Sequence, residues 1–214
     1  MALYYILIPL AWLLWNIGFR IQVVGRDNLK KVGTRGCVIA PNHVSAVDPV
    51  FVAVTRFWGR RMVIFAKKEL FEIHPVLSWF FRCMGGVCVR GTRGEVEVME
   101  KTVQECRKGR SLLIFPEGTR EKVAGQLLPP KSGLFVIASE AAVDVVPCRI
   151  LYDTPDGRAR LFCRVKVVYG EPLPAARFAM EGRRDTQKLR ANKQALTTAW
   201  QQLGDEWAFA RRSA

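Results

Sequence analysis

The stretch CVIAPNHVSAVDPVF, residues 37–51, decides how this chain folds. Its apolar run from Cys37 to Ala40 ends at a Pro-Asn pair, which is typical of a buried strand that gives way to a loop. His43, one of only two histidines in the chain, follows directly and precedes Asp48 by five residues. We therefore predict that a strand end delivers His43 and Asp48 together into a cleft, because functional side chains concentrate on loops held by a rigid scaffold.

Outward from this stretch, apolar runs alternate with helical periods. Further strands are predicted from the runs RMVIFA, SLLIF, VDVVPCRIL and ARLFCRVKVVYG. Apolar residues recur with helical spacing over 94–109, Ser132 to Ala142 and about Thr186 to Phe209. Strands that alternate with helices predict an α/β fold, in which helices cover a β-sheet. We expect the stripe of the last helix to pack in the core rather than to face a membrane or a partner; it consists of Leu189, Leu196, Trp200, Leu203 and Trp207.

The length and composition indicate a globular and strongly basic protein. The 214 residues suffice for one domain with a hydrophobic core, and an apolar content of 50% argues against a disordered chain. Lysine and arginine outnumber aspartate and glutamate by 33 to 19, which gives a formal charge of +14. This charge predicts attraction to nucleic acid, an anionic membrane surface or phosphorylated substrates without choosing among them. The 6 cysteines lack metal-ligand spacing, so we predict reduced, buried thiols.

The first residues, MALYYILIPLAWLLWNIGFR, predict a membrane-contacting helix. No charged side chain precedes Arg20, and nineteen helical residues would extend about 28 Å, near the thickness of bilayer hydrocarbon. Pro9 and the interface-preferring Trp12, Trp15 and Asn16 count against a clean span. A spanning or re-entrant anchor, an interfacial helix and a buried helix of the fold all stay open. A cleaved signal peptide fits poorly, since a small-x-small cleavage site is absent.

His43 and Asp48 are the first of three candidate groups for chemistry. A carboxylate that accepts the imidazole Nδ1 proton leaves Nε2 free to take a proton from a hydroxyl. A histidine with a reference pKa of about 6.5 is a competent base at neutral pH. On these two residues alone, a histidine that caps a turn or is satisfied in the core is an equally good interpretation.

The other two groups suit anions. FPEGTR, Phe115 to Arg120, follows an apolar run and combines a glycine turn with a hydroxyl and a guanidinium group. Lys67 and Lys68, with Arg90 and Arg93 in a glycine-rich segment, form a more diffuse cationic group. Taken singly, these groups are also compatible with an ordinary turn and charged surface loops.

Together these motifs resemble a known pattern. NHVSAVDP is similar to the NHxxxxD motif, and FPEGTR to the EGTR motif, of the glycerolipid acyltransferases typified by bacterial 1-acylglycerol-3-phosphate (lysophosphatidic acid) acyltransferase. The segments FAKKELF, GGVCVR, KSG and VVPC follow in the expected order, and the resemblance covers residues 42–147. It implies a mixed αβ sheet covered by helices, with an N-terminal hydrophobic helix that contacts the membrane.

The resemblance also implies the chemistry: acyl transfer from acyl-CoA or acyl-carrier protein to the free hydroxyl of a lysophospholipid, without a cofactor or a metal ion. His43 is then the general base and Asp48 its orienting partner. The acceptor phosphate is assigned to Lys67, Arg90, Glu117, Gly118, Thr119 and Arg120. Two departures from the family pattern leave the acceptor pocket open: Arg93 is an alternative to Arg90, and Glu121 stands where a serine often follows EGTR.

We therefore predict a membrane-anchoring or interfacial helix over residues 1–22 and an acyltransferase domain over residues 23–214. The expected acceptor is 1-acylglycerol-3-phosphate, which gives phosphatidic acid, while glycerol-3-phosphate or another lysolipid stays open. The expected partners are an anionic membrane surface and the two substrates, with no nucleic acid. The basic residues after the first helix place the protein on the cytoplasmic face of the cell inner membrane.

Two rival interpretations carry less of the sequence. A hydrolase that uses Ser45 would need three triad members within six residues, and the chain has no GxSxG elbow. A non-enzymatic module that binds anionic membrane or nucleic acid explains the charge alone. It leaves the His43/Asp48 pair and the EGTR turn without a purpose.

Overall fold

The computed structural model describes residues 2–56, 60–72, 74–89, 93–121, 123, 125–182 and 185–209. Within these ranges the helices are α1 (Ala2–Gly18), α2 (Arg26–Lys31), α3 (Asp48–Thr55), α4 (Lys68–Glu72), α5 (Pro75–Cys83), α6 (Arg93–Arg107), α7 (Gly133–Ala141), α8 (Ala175–Phe178) and α9 (Thr186–Trp207). The strands are β1 (Arg20–Val24), β2 (Cys37–Pro41), β3 (Val63–Lys67), β4 (Gly86–Val89), β5 (Leu112–Leu113), β6 (Asp144–Tyr152) and β7 (Arg164–Tyr169).

The described strands form one sheet in the order β1-β7-β6-β2-β5-β3-β4. Every neighbouring pair is parallel except β6 and β7, which are antiparallel. The sheet is therefore mixed and covered by helices, as predicted. Because β2, β5, β3 and β6 run in the same direction, their carboxyl ends meet at one edge of the sheet, called here the carboxyl edge. In open α/β sheets, ligands bind in the crevice outside this edge.

Strand β2 is buried along its whole length and separates two hydrophobic clusters. Cys37 and Ile39 point into a cluster with α1 and α3, whereas Val38 and Ala40 point into a cluster with α6, α7 and α9. This alternation follows from the two-residue period of a strand. A central strand covered on both faces needs apolar residues at every position, which explains the continuous run in the sequence.

The predicted long helices are observed close to their predicted bounds, and the stripe of α9 packs in the core through Leu196 and Trp200. The predicted strand from the run ARLFCRVKVVYG is too long, because β7 begins only at Arg164. Residues 159–163 instead belong to the loop between β6 and β7. The short strands β1 and β4 were not predicted. The predicted boundary at residue 22 falls inside β1, which is hydrogen-bonded to β7, so a division there cuts the sheet.

Helix α1 packs one face on the protein and exposes the other. Tyr4 and Ile8 are buried, and Trp15 packs against Phe51 of α3 at 6.4 Å between ring centroids. The opposite face is also apolar and lies open, with Tyr5, Ile6, Leu10, Trp12, Leu13, Leu14 and Ile17 exposed. Among the described residues, no helix combines the length and the apolar character needed to cross a membrane.

All six cysteines lie in described residues and are free thiols. Cys37, Cys106 and Cys148 are buried as predicted, and burial raises the pKa of the Cys106 thiol to about 12. Cys83, Cys88 and Cys163 are only partly buried, which corrects the prediction for these three thiols.

Candidate active site

His43 lies at the carboxyl edge, two residues after the end of β2. Asn42, directly before it, is buried and pairs with β6: its Oδ1 accepts the amide of Ile150 at 2.8 Å. This pairing extends the attachment of β2 to β6 by one residue beyond the strand. The histidine backbone therefore starts from a rigid position, while its side chain retains 19% exposure toward solvent.

Asp48 is fully buried and receives hydrogen bonds from four directions. Its Oδ2 accepts the amides of Val44 and Ser45, both at 2.7 Å, and lies 2.9 Å from Nδ1 of His43. The hydroxyl of Tyr152, at the end of β6, donates to Oδ1. Burial and the Asp48 carboxylate both raise the pKa of Tyr152, so the tyrosine stays a proton donor. A buried carboxylate with this many donors is held in one orientation.

The orientation of Asp48 fixes the proton on His43. An ionised carboxylate only accepts hydrogen bonds, so Nδ1 of His43 must carry the proton that it donates to Oδ2. The lone pair of a neutral ring then lies on Nε2, on the other side of the imidazole. The predicted pairing of His43 with Asp48 is therefore observed, and its geometry leaves Nε2 able to take a proton.

The segment Phe115 to Glu121 holds the backbone of His43 from both sides. The amide of His43 donates to Oε1 of Glu117 at 3.2 Å, and the amide of Glu121 donates to the carbonyl of His43 at 2.8 Å. The Phe115 ring packs on the imidazole with centroids 4.2 Å apart. The two sequence motifs thus form one structural unit, although 74 residues separate His43 from Glu117.

The EGTR turn divides its side chains between interior and solvent. Gly118 has φ 72°, a left-handed conformation that favours glycine, and a Cβ there would lie 2.5 Å from Nζ of Lys131. Thr119 and Arg120 are exposed next to this turn. The turn therefore has an exposed hydroxyl and an exposed guanidinium, with the Lys131 ammonium close to Gly118, and this combination suits an anionic ligand.

Glu117 is placed differently from the other predicted phosphate ligands. It is only 3% exposed, and burial raises its pKa to about 7. Its carboxyl group bonds to the His43 backbone instead of facing solvent with Thr119 and Arg120. The structure thus assigns Glu117 a supporting position under the histidine.

Lys67 lies exposed at the end of β3, on the carboxyl edge and two strands away from β2. The prediction for Arg90 falls outside the described residues, and for Arg93 only its place as the first residue of α6 is described.

The Ser45 amide donates to Asp48, and the Ser45 hydroxyl accepts from the Val47 amide at 3.5 Å. His43 reaches Asp48 directly, so Ser45 does not occupy the nucleophile position of a triad.

A buried charge cluster lies behind the EGTR turn. Glu117, Glu121 and Arg149 are all buried, and Oε2 of both glutamates and Nε and Nη1 of Arg149 lack hydrogen-bond partners. Burial raises the pKa of Glu121 and lowers that of Arg149, while the arginine charge acts against the rise at both glutamates.

Among the described residues, no group of His, Cys, Asp or Glu side chains is arranged to hold a metal ion.

Sequence reasoning missed four of the residues that build this site. Tyr152 and Arg149 lie about a hundred residues from His43, and no local pattern marks Tyr152. Asn42 belongs to the quoted NH pair and Lys131 to the quoted KSG segment, so both were visible without an assigned role. Arg149 directly follows VVPC inside an apolar strand run, and this position was a further signal. A charged residue in a buried strand is rarely without a partner.

The chain is similar in sequence to known acyltransferases. The model of the Acyltransferase family matches residues 20–151. The chloroplastic 1-acyl-sn-glycerol-3-phosphate acyltransferase BAT2 of Brassica napus is 33% identical over 135 residues, which are 62% of this chain and 38% of that protein. The 1-acyl-sn-glycerol-3-phosphate acyltransferase of Borreliella burgdorferi is 33% identical over 143 residues, 66% of this chain and 54% of the relative. The matched regions thus span less than two thirds of these relatives.

A solved structure has a similar fold. The crystal structure of the 1-acyl-sn-glycerophosphate (LPA) acyltransferase PlsC from Thermotoga maritima superposes with a TM-score of 0.67 at 20% sequence identity. The match covers 98% of this chain and 80% of that chain. It extends the shared architecture beyond the region of the family model to α1 at one end and α9 at the other.

Proposed function

Because this chain belongs to the acyltransferase family, we propose that it transfers a fatty acyl group to the free hydroxyl of 1-acylglycerol-3-phosphate and so makes phosphatidic acid. The activity for which the matched relatives are named supports this acceptor. The proposed donor is an acyl thioester, either acyl-CoA or acyl-carrier protein. No cofactor or metal ion takes part in the proposed reaction.

The observation that carries the proposal is the His43–Asp48 pair with its Nε2 left available. Nε2 of His43 removes the proton of the acceptor hydroxyl while the oxygen attacks the thioester carbonyl. The carbon–oxygen bond forms, the carbon–sulfur bond breaks, and the thiolate takes the proton from the imidazolium. Asp48 stabilises the imidazolium in between. Since a thioester is already activated, the reaction needs no acyl-enzyme.

Positioning of the acceptor is assigned to the exposed side of the EGTR turn. Arg120 supplies a guanidinium that can bind a phosphate through two parallel hydrogen bonds. Lys131 and Lys67 add cations at the same edge of the sheet. Glu117 contributes indirectly, because it holds the His43 backbone and so the distance between the base and the bound acceptor. A well-oriented pair of reactants accounts for much of the rate of such a transfer.

The membrane is the proposed source of the acceptor. The outer face of α1 exposes apolar side chains, and the end of α1 contacts the loop that follows β6 at the carboxyl edge. The chain also carries a net charge of +14. Apolar burial and attraction to anionic lipid together favour binding to a membrane surface. We place the protein on the cytoplasmic face of the cell inner membrane, where both thioester donors occur.

The proposal is tested with purified full-length protein. It is incubated with 1-acylglycerol-3-phosphate or glycerol-3-phosphate, each with acyl-CoA or acyl-carrier protein, and the products are identified by lipid mass spectrometry. Phosphatidic acid in the presence of 1-acylglycerol-3-phosphate is the expected result. Release of free fatty acid at the same rate without any acceptor would identify a hydrolase instead.

A further inference from the structure

The loop between β6 and β7, residues 153–163, projects from the carboxyl edge where His43 lies. Strand β6 is parallel to β2, so its last residue, Tyr152, reaches the same edge as the end of β2. The loop begins directly after the tyrosine that donates to Asp48. Whatever binds this loop is therefore held next to the proposed active site.

The tip of the loop exposes two large apolar side chains. Leu161 is 71% exposed and Phe162 is 68% exposed, which places them among the most exposed large apolar residues in the described ranges. Isolated exposed apolar residues are common on soluble proteins. These two are adjacent, and they continue an apolar surface formed by α1.

Backbone contacts join the loop tip to the end of α1. The amide of Phe162 donates to the carbonyl of Gly18 at 2.7 Å, and the amide of Arg20 donates to the carbonyl of Cys163 at 3.1 Å. A Cβ at Gly18 would lie 3.8 Å from the Leu161 side chain. Ile17, one residue before Gly18, is also 65% exposed. The loop tip and the outer face of α1 thus form one continuous apolar surface.

Phe162 adopts a backbone conformation that its side chain disfavours. Its φ is 63°, in the left-handed region, where a bulky residue other than glycine is strained. Such strain is unfavourable and persists mainly at functional sites. The aromatic ring gains little in return within the protein, because most of it faces solvent. A role outside the folded chain accounts for a phenylalanine at this position.

Arginines flank the apolar tip along the chain. The loop contains Arg158 and Arg160, and Arg164 follows it directly. The same segment has two carboxylates, Asp153 and Asp156. The ion pairs Arg160–Asp156 and Arg164–Asp153 lie at the surface, with the arginine side chains 61% and 47% exposed. Surface pairs of this kind are weak, so these guanidinium groups can still attract anions.

A cleft beside the loop adds further positive charge. Its volume is about 740 Å³, and its walls include Arg20, Arg164, Lys166 and Phe209. Arg20 and Arg164 are register partners on β1 and β7, so two like charges lie side by side. Like charges directly opposite each other on a sheet are unfavourable. The Asp153 carboxylate, 2.6 Å from Arg164, offsets part of that repulsion, and an anion bound beside Arg20 offsets more of it.

We propose that Leu161 and Phe162 insert into an anionic bilayer as a second membrane contact beside α1, with lipid headgroup phosphates bound by the surrounding arginines. An apolar tip within a cationic rim is complementary to a bilayer, which presents anionic headgroups above an apolar interior. The two contacts together hold the carboxyl edge against the membrane, so that the acceptor hydroxyl reaches Nε2 of His43. The choice of a lipid partner rests on the proposed function, but the binding test below does not.

The test uses Phe162→Gly in the full-length protein. Glycine removes the apolar side chain and also removes the backbone strain, so the folded state should be no less stable than the wild type. Ala142→Gly is the matched control, because Ala142 also has a positive φ, of 53°, but caps α7 away from the loop. Flotation is measured with phosphatidylglycerol/phosphatidylcholine vesicles and with pure phosphatidylcholine vesicles, alongside thermal unfolding.

Phe162→Gly should bind the anionic vesicles at least about tenfold more weakly than the wild type, which is the effect of losing one buried aromatic side chain. Ala142→Gly should bind like the wild type. Arg20→Gln should weaken binding to the anionic vesicles alone and reduce its salt dependence. Wild-type binding by Phe162→Gly, or an equal loss in Ala142→Gly, would overturn the proposal.

Two further measurements distinguish a membrane contact from a dimer contact and from a defect in catalysis. A concentration-dependent dimer that Phe162→Gly abolishes without a change in flotation would identify the surface as a contact between copies of this chain, and would also overturn the proposal. Transfer to a short, water-soluble acceptor should be the same for Phe162→Gly and the wild type. If the wild type transfers to no acceptor, the proposed function fails, while the flotation result still decides the membrane contact.

Discussion

Replacement of Asp48 by asparagine tests the role of charge at the proposed base, because the two side chains have the same shape. Three N–H groups converge on Oδ2, from His43, Val44 and Ser45, so the amide oxygen of an asparagine must occupy that position. Its NH₂ group then faces Tyr152, whose hydroxyl can rotate to accept a hydrogen bond. The ring orientation and the tautomer of His43 are retained, and only the negative charge is lost.

The size of the effect follows from this geometry. An imidazolium and a carboxylate with charge centres about 4 Å apart attract by about 4 kcal/mol at an effective dielectric constant of about 20. Loss of this attraction raises the barrier for proton removal, so kcat should fall by about 10³-fold. The KM values for both substrates should change little, since neither binding surface is altered. The free energy of unfolding should fall by about 1–3 kcal/mol, because hydrogen bonds to a charged group become neutral ones.

Tyr152→Phe provides the matched control. It removes one donor to Asp48 but keeps the carboxylate charge, so the loss of kcat should be less than about tenfold. Thiol release from the acyl donor gives the rates for both variants, and thermal unfolding reports their stability. An Asp48→Asn protein that folds and works within tenfold of the wild type would refute the argument that the carboxylate stabilises the imidazolium.

Three further predictions follow from the residues around His43. Arg120→Ala should raise the KM for the phosphorylated acceptor by about tenfold or more and leave the donor KM unchanged in steady-state kinetics. A raised donor KM with an unchanged acceptor KM would show that the EGTR turn binds a different ligand. Burial raises the folded-state pKa of Glu117 from its ordinary value of 4.5 to about 7. Because the folded state holds this proton more tightly than the unfolded state, the free energy of unfolding of the wild type should decline as pH rises from about 4.5 to about 7. Glu117→Gln should therefore gain thermal stability over the wild type at pH 8 and lose that gain toward pH 5. Arg149→Met leaves both glutamates without their neighbouring cation, so it should lower the free energy of unfolding by about 1–3 kcal/mol at pH 8 and by less at pH 5. A loss that chemical denaturation shows to be independent of pH would exclude this coupling between Arg149 and the two glutamates.

The sequence was informative wherever the determinants are local. The apolar run of β2, the turn that follows it and the five-residue spacing of His43 and Asp48 are all contained in fifteen residues, and their predicted pairing is observed. The periodicity of α6 and α9 located these helices within a few residues, because each buries a stripe of apolar side chains against the sheet.

Features that depend on distant segments could not be predicted. Tyr152 reaches Asp48 only because β6 pairs with β2, and the sequence does not reveal that pairing. The apolar residues at 159–163 satisfy a strand pattern, but the ladder between β6 and β7 ends at Tyr152 and Val165, and the chain turns outward. The predicted boundary at residue 22 treats the first helix as separate from the domain, yet α1 buries Tyr4 and Ile8 and β1 begins at Arg20. Point substitutions on the outer face of α1 are therefore the better probe of membrane contact.

The most direct test of the central claim is the rate of phosphatidic acid formation by His43→Ala, measured by mass spectrometry with 1-acylglycerol-3-phosphate and an acyl thioester. The side chain of His43 supplies no bond to the fold beyond its contacts with Asp48 and Phe115 in the described part of the chain, so the variant should fold and still float with vesicles. Its rate should fall by about 10²- to 10⁴-fold, the usual contribution of a general base. A folded His43→Ala protein that forms phosphatidic acid at a rate near that of the wild type would contradict the account.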